Sequence, residues 1–523
     1  MAEKRFWDRH SRQITVQSLA SECQLLLAEI DALEASWTHP DNLLMPANLS
    51  DMKASLAQLH AVLGQNQDLI VRKLEVSGKK VALVFLNDMA DERLLRSDIL
   101  APLQSHPPAL TGSTSLLNVM QNTLHAPNLK GSKDFSKLVS SLLNGDSLIL
   151  VEGHSQALIV SSSGVKERSP GTTSVENVLR GPQEAFTEKI SYNLGLLRVR
   201  VKDPGLEIQY RTVGRGSLTK VAICSLPGRV DVDILKHVVS SVEAVATDYI
   251  TDSGELLEYL HPGIFHIFPL AVSTERPDRA ERALFDGRVV VIVDNSPFVL
   301  LLPSVYVDFF RSPEDYYIPW VPATGLRWLR LFADHLAALL PAIYVCIASF
   351  NPGALTPSFM LTLASSRTLV PYSPMLEILL VMVLGDLLVE SSIRSPKVVG
   401  NAIPIVGGIV IGDVLVSTHL AGDVALVAGA LATVANFTVT EPTMQQLMRI
   451  QKYWYLLWAA FLGFLGLMVG TTLQLAYMAS LDSMGVAYFS PVAPFHLLEA
   501  INAKMVLPPR WWPDRASGSR KTQ

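Results

Sequence analysis

Between Leu326 and Ser480 the chain is almost without charge, and that stretch limits what it can fold into more than any other feature. A helix that crosses a bilayer needs about 20 mostly apolar residues, because the hydrocarbon core is about 30 Å thick. Five stretches meet or approach that length: 326–350, 375–391, 402–418, 424–440 and 454–479. The second is short and carries acids. Between the first and second lies a stretch broken by Pro352, Pro357, Pro371 and Pro374, which reads as a re-entrant or interfacial element. The expectation is a membrane-embedded helical bundle of about five segments over 326–480.

The rest of the chain is different. Charged residues make up 17% of the 523 residues, below the roughly 25% of an average soluble protein. The deficit is concentrated in the apolar stretch, whereas residues 1–100 are rich in charge. A net charge of −5 gives no nucleic-acid footprint. Cys23, Cys224 and Cys346 stand far apart, so they indicate neither a disulfide framework nor a cysteine-based zinc site. The charged N-terminus has no apolar core behind it and does not read as a secretory signal, which predicts a cytoplasmic N-terminal region. Lys and Arg agree with that side. Arg311, Arg327, Arg330, Arg394, Lys397, Arg449 and Lys452 fall on the cytoplasmic side and Arg367 on the other. Five crossings would leave the basic C-terminal tail outside. Asp315, Tyr316, Tyr317, Trp320 and Trp328 read as an anchor at the membrane interface.

Residues 1–65 read as a helical extension, with helices over 20–33 and 52–63 and Ser50 or Asp51 as a cap. From Leu69 the pattern changes to short strands. LIVRKLEV and KVALVFLN flank a Ser77-Gly78 turn; a helix and a second hairpin-like pair, SLILVEG and SQALIVSS, follow. The same order then returns, and Val221 follows Val81 by 140 positions. The predicted fold is therefore α+β: two duplicated subdomains over 66–179 and 180–310, with a boundary near Arg180-Gly181-Pro182 and a long amphipathic helix after it. A linker over 311–325, the bundle over 326–480 and an interfacial segment and tail over 481–523 complete the chain.

Acids inside apolar spans are costly and are candidates for function. Asp386 and Asp413 lie within the segments, with Glu377 and Glu390 nearer their ends. They either line a cation path, completed by oligomerisation, or pair locally with groups such as His419 or Arg394. Small residues, including Gly463, Gly466 and Gly470, permit close helix packing. No P-loop, nucleophile elbow or H-E-x-x-H motif occurs, so no catalytic, cofactor or metal site is expected. His154, His261 and His266 have no ligand partners at suitable spacing.

Three blocks carry a resemblance: RGPQEAFTEKISYNLGLLRVRVKDPGLEI from Arg180, STERPDRAERALFDGRVVVIVDNSPFVLLLPSVYVDFFRSPEDYY from Ser273, and SMGVAYFSPVAPF from Ser483. Together they resemble the A subunit of the GerA family of spore germinant receptors, or its close paralogue linked to dipicolinic-acid release, over roughly 67–513. The motif residues are Glu275, Arg276, Pro277 and Asp278, then Ser312, Pro313, Glu314 and Asp315. The resemblance implies a multi-pass protein of the spore inner membrane that works with a transporter-like B subunit and a lipoprotein C subunit. It further implies a homo-oligomer that transmits the nutrient signal and conducts monovalent cations, or else a non-conducting scaffold.

Overall fold

The computed structural model describes residues 49–64, 66–105, 120, 123–126, 128–164, 171–173, 175–176, 178–261, 266–395 and 402–493. The helix expected over 20–33 and the basic tail lie outside them. The chain divides into two compact units. The first reaches Gly164; the second runs from Val165 onward, leaving aside the loop Asp203–Gly205.

The first unit begins with α1 (Met52–Leu63), capped by Asp51, whose Oδ1 accepts from Lys53 N at 2.9 Å. The hairpin β1 (Leu69–Val76) and β2 (Lys79–Leu86) turns at Ser77 and Gly78, both with positive φ, as its two-residue connection requires. A helical stretch over 92–105 follows, then β3 (Leu129–Ser132), α2 (Phe135–Leu143), β4 (Ser147–Val151) and β5 (Ala157–Val160). The strands form one antiparallel sheet in the order β1-β2-β4-β5-β3. Side chains alternate across a strand, so Val81, Leu83 and Phe85 share one face. They pack there with Leu95, Ile99 and Leu103.

In the second unit α3 (Ile190–Arg200) precedes β6 (Glu207–Val213) and β7 (Thr219–Ser225), followed by α4 (Val232–Glu243), α5 (Ser253–Leu260), β8 (Val272–Thr274), α6 (Pro277–Phe285), β9 (Val289–Val293) and β10 (Val299–Leu302). Its sheet is also antiparallel, in the order β6-β7-β9-β10-β8. This repeats the first sheet strand for strand. Val81 faces Val151 in one sheet and Val221 faces Val293 in the other. The unbroken apolar runs of β9 and β10 arise because both faces are covered. Val290 and Ile292 join one core, whereas Val289, Val291 and Val293 join another with α4 and α5.

The first unit closes before Arg180-Gly181-Pro182, because the carbonyls of Glu176 and Pro182 are held by Arg276 of the second unit. The helix expected from Glu184 starts only at Ile190. Glu184–Ala185 instead pairs with Gly171–Thr172, and Asn193 bonds back to Thr187 ahead of the helix. The helix is also buried nearly all round rather than amphipathic.

The helical part comprises α7 (Trp320–Val345), which continues in a wider turn to Phe350, α8 (Pro357–Ser366), α9 (Pro374–Arg394), α10 (Ala402–Ser417), α11 (Asp423–Asn436) and α12 (Pro442–Ser480). Among the described residues, Trp320–Phe350 and Pro442–Ser480 are the two helical stretches long and apolar enough to cross a membrane, the second counted across a break at Gly463. Helices α10 and α11, with 16 and 14 residues, would be about 24 and 21 Å long. The stretch expected as one segment over 454–479 is interrupted at Gly463 (φ 59°, ψ −136°), a conformation essentially restricted to glycine. There the chain folds back on itself. Trp454 Nε1 donates to Gly470 O at 3.2 Å, and the two glycines past the bend lie against Trp458. Both ends of α12 therefore return to the second sheet, where Met444 and Met478 share a core. Residues 481–493 dock there as well. Ser304 N donates to Ser483 Oγ, Tyr306 N donates to Tyr488 O, and the Tyr488 ring sits among Phe268, Tyr306 and Phe309.

Candidate functional site

Two groups of predicted residues are brought together. The first joins the motif residues. Pro277 opens α6, where its missing N–H costs nothing. Arg276, fully buried, donates to both carboxylate oxygens of Asp278 at 3.1 and 2.8 Å. The Tyr317 hydroxyl donates to Asp278 at 2.6 Å, and Glu275 accepts from the amides of Val175 and Glu176. Gly181 lies so close to the Tyr317 ring that an added Cβ would come within 2.7 Å of it. Ser312 and Asp315 cap the short helix Pro313–Tyr316, with Glu314 at its start. Asp315 is also buried between Arg327, at 3.1 Å, and Arg330 of α7. The motif residues thus bind the strap before α3 to α6 and the second sheet to the first turns of α7. Of the residues expected as a membrane anchor, Trp320 and Trp328 are exposed on α7. Asp315 is buried, Tyr317 is exposed but holds Asp278 through its hydroxyl, and Tyr316 lies under the Arg282 guanidinium at 3.3 Å.

Beside this junction lies a cleft of about 380 Å³, lined by Asp278, Arg279, Arg282, Arg288, Asp308 and Tyr316 among others. Burial disfavours the charged form of Asp308, but Arg288 at 2.8 Å and Arg311 at 2.9 Å outweigh it and hold the carboxyl well below its usual range. Burial pushes the Glu176 carboxyl up against the pull of Arg279, which lies 2.6 Å away. His261 is lowered to about 4 by burial. Among the described residues no group of three or more His, Cys, Asp or Glu is arranged to hold a metal.

The second group is the bundle acids. Glu377, fully buried at the start of α9, accepts from the Tyr344 hydroxyl, Arg367 Nε and Gly422 N at 2.9, 2.9 and 2.6 Å. Asp386 is half-buried and accepts from Lys452 Nζ at 2.7 Å and the Tyr453 hydroxyl at 2.6 Å. Glu390 bonds Arg394 at 2.7 Å and lies 3.6 Å from Arg449. Asp413 is exposed on α10, between exposed Val410 and Val414. Within the chain the acids thus have separate sets of partners. Sequence reasoning placed Lys452 in a loop, but it is buried within α12 and its ammonium is the nearest charge to Asp386. The signal available was a lysine immediately before the aromatic run Tyr453-Trp454-Tyr455, a position that continues the helix.

The sequence profile described as Bacillus/Clostridium GerA spore germination protein matches residues 57–517. Spore germination protein KA of Bacillus subtilis (strain 168) is 30% identical, over 88% of this chain and 85% of that protein. Spore germination protein A1 of the same organism is 31% identical, over 87% and 93%. The solved N-terminal domain of the A subunit of the Bacillus megaterium spore germinant receptor GerK3 is 21% identical, with a TM-score of 0.38, and covers 50% of this chain and 97% of that one.

Proposed function

This chain belongs to the Bacillus/Clostridium GerA spore germination protein family, and from that premise we propose that it is the A subunit of a nutrient receptor in the spore inner membrane. The family match along most of the chain is the observation that carries the reading. In it, the two α+β lobes, products of one duplication, lie in the cytoplasm and the helices after Trp320 cross the membrane. A transporter-like B subunit and a lipoprotein C subunit are its partners. The protein is not an enzyme; it transmits the nutrient signal as a homo-oligomer and passes monovalent cations along a path that includes Asp386, with Asp413, Glu377 and Glu390 as further candidates.

Six crossings fit better than five. The fold-back at Gly463 supports the extra one, since residues 442–462 and 464–480 then run in opposite directions. Arg327, Arg330, Arg394 and Arg449 gather at the end of the bundle nearest the second sheet, and Arg367 lies at the other; this asymmetry supports a cytoplasmic lobe. The test is reconstitution of the chain with its partner subunits in potassium-loaded liposomes. Nutrient should trigger potassium efflux, and Asp386→Asn should reduce it. Absence of any efflux from a correctly assembled complex overturns the conducting reading. The second reading, a non-conducting relay, is favoured by Glu377, whose three hydrogen bonds make it a structural joint. Under it Asp386→Asn lowers assembly or stability alone.

A further inference from the structure

We propose that the bundle holds a monovalent-cation site formed by Asp386, Asn436 and Thr433, and that the ammonium of Lys452 occupies its carboxylate as a tethered ion. The inference deepens the reading of Asp386 given above, which it takes as its starting point.

Five observations carry it. The Lys452 side chain is 6% exposed, and its Nζ donates to Asp386 Oδ1 at 2.7 Å. The second carboxylate oxygen of Asp386 accepts from the Tyr453 hydroxyl at 2.6 Å, which fixes the carboxylate's orientation. Beside the pair is a cavity of about 10 Å³, lined by Asp386, Thr433, Asn436, Arg449 and Lys452 among others. That is space for one water-sized particle. Asn436 is 6% exposed, and its side-chain oxygen has no hydrogen-bond partner among the described residues. A buried amide oxygen without a donor is unusual and costly. Thr433 spends its hydroxyl proton on Gly429 O at 2.9 Å, so its oxygen offers lone pairs only.

The chemistry of this donor set is that of a hard monovalent cation: one carboxylate, one amide oxygen and a hydroxyl oxygen. An ammonium group and a potassium ion are of nearly equal size and both take oxygen ligands. Lys452 supplies the charge without an ion, on a stem anchored in α12. Arg449 also faces the cavity, but it lies 3.6 Å from Glu390, which already holds Arg394 at 2.7 Å. No other cation is within bonding distance of Asp386 among the described residues. As long as the lysine stays in place, a mobile ion is excluded from this carboxylate. Withdrawal of the ammonium, by rotation or sliding of α12 against α9, would free the site for a diffusing cation.

The test is on the purified full-length chain in detergent, with melting temperature as the readout, in potassium chloride and in choline chloride of equal ionic strength. Wild type should melt alike in both. Lys452→Met should melt higher in potassium by roughly 2–4 °C, because an ion then takes the vacated position. The double variant Asp386→Asn with Lys452→Met should lose that difference. If Lys452→Met folds only in potassium, the site is supported in a stronger form. If it melts alike in both salts, or folds in neither while the double variant folds, the site is overturned. A positive result with a receptor that passes no ions in liposomes keeps the site and removes the path. A negative result with a conducting receptor does the reverse.

Discussion

Asp315 is closed off from solvent between Arg327 and Arg330, and Arg330 also donates to Phe310 O at 2.6 Å. Asparagine here would leave two buried guanidinium groups without their counter-charge. Removing one partner of such a cluster costs about 3–5 kcal/mol. Asp315→Asn should therefore lower the unfolding free energy of the detergent-solubilised chain by that amount, whereas Glu314→Gln, on the half-buried neighbour, should change it by less than about 0.5 kcal/mol. Asp308 gives a pH dependence of definite sign. Its folded carboxyl titrates below the unfolded value of about 3.9. Its contribution is present above that value and is lost as the pH falls through the folded one. The stability difference between wild type and Asp308→Asn should shrink from about pH 5 to about pH 3 in denaturant titrations. At this scale the sequence was informative about which carboxylates matter and poor about their partners. Asp278, Asp315 and Asp386 stand out by motif or by position in an apolar run. Their partners Tyr317, Arg330 and Lys452 lie 39, 15 and 66 residues away, distances that no local pattern encodes.

At the level of elements, legibility depended on whether a pattern is local. The hairpins at Ser77-Gly78 and around Gly214 follow from strand runs meeting residues that accept positive φ, and both are present. The break in α12 does not show in hydropathy, because apolar residues continue through Phe461, Leu462, Phe464 and Leu465. What marks it is backbone conformation at one glycine. A Cβ at Gly463 would lie 2.8 Å from the Phe350 ring, with φ in the left-handed region. Gly463→Ala should thus destabilise the bundle by about 1–3 kcal/mol. Gly408→Ala, where nothing lies within 4 Å, is the control and should be neutral or slightly stabilising. Paired thermal melts in one detergent would measure both. Equal melting temperatures for the two variants would contradict the fold-back.

Across the whole molecule, the repeat spacing in the sequence anticipated two similar sheets but not their strand order, which depends on pairings between strands far apart in the chain, such as β2 with β4. Six crossings predict a labelling pattern in closed vesicles. Cysteines at Leu218 and Val492, both exposed, should react with an impermeant maleimide from one side, and a cysteine at exposed Leu361 from the other. Reaction of Val492→Cys from the Leu361 side would restore an odd number of crossings. The return of residues 481–493 to the second sheet has a mechanical consequence. The lobe grips the helices at three places: through Asp315 at the start of α7, through Phe309 O and the core around Met444 where α12 begins, and through Ser483 and Tyr488 after it ends. A body clamped at three points cannot swing on a single hinge. Force entering through the lobe is converted to shear between neighbouring helices, and α9, which has none of these clamps, receives it through the bonds of Glu377 to Tyr344 and of Asp386 to Lys452.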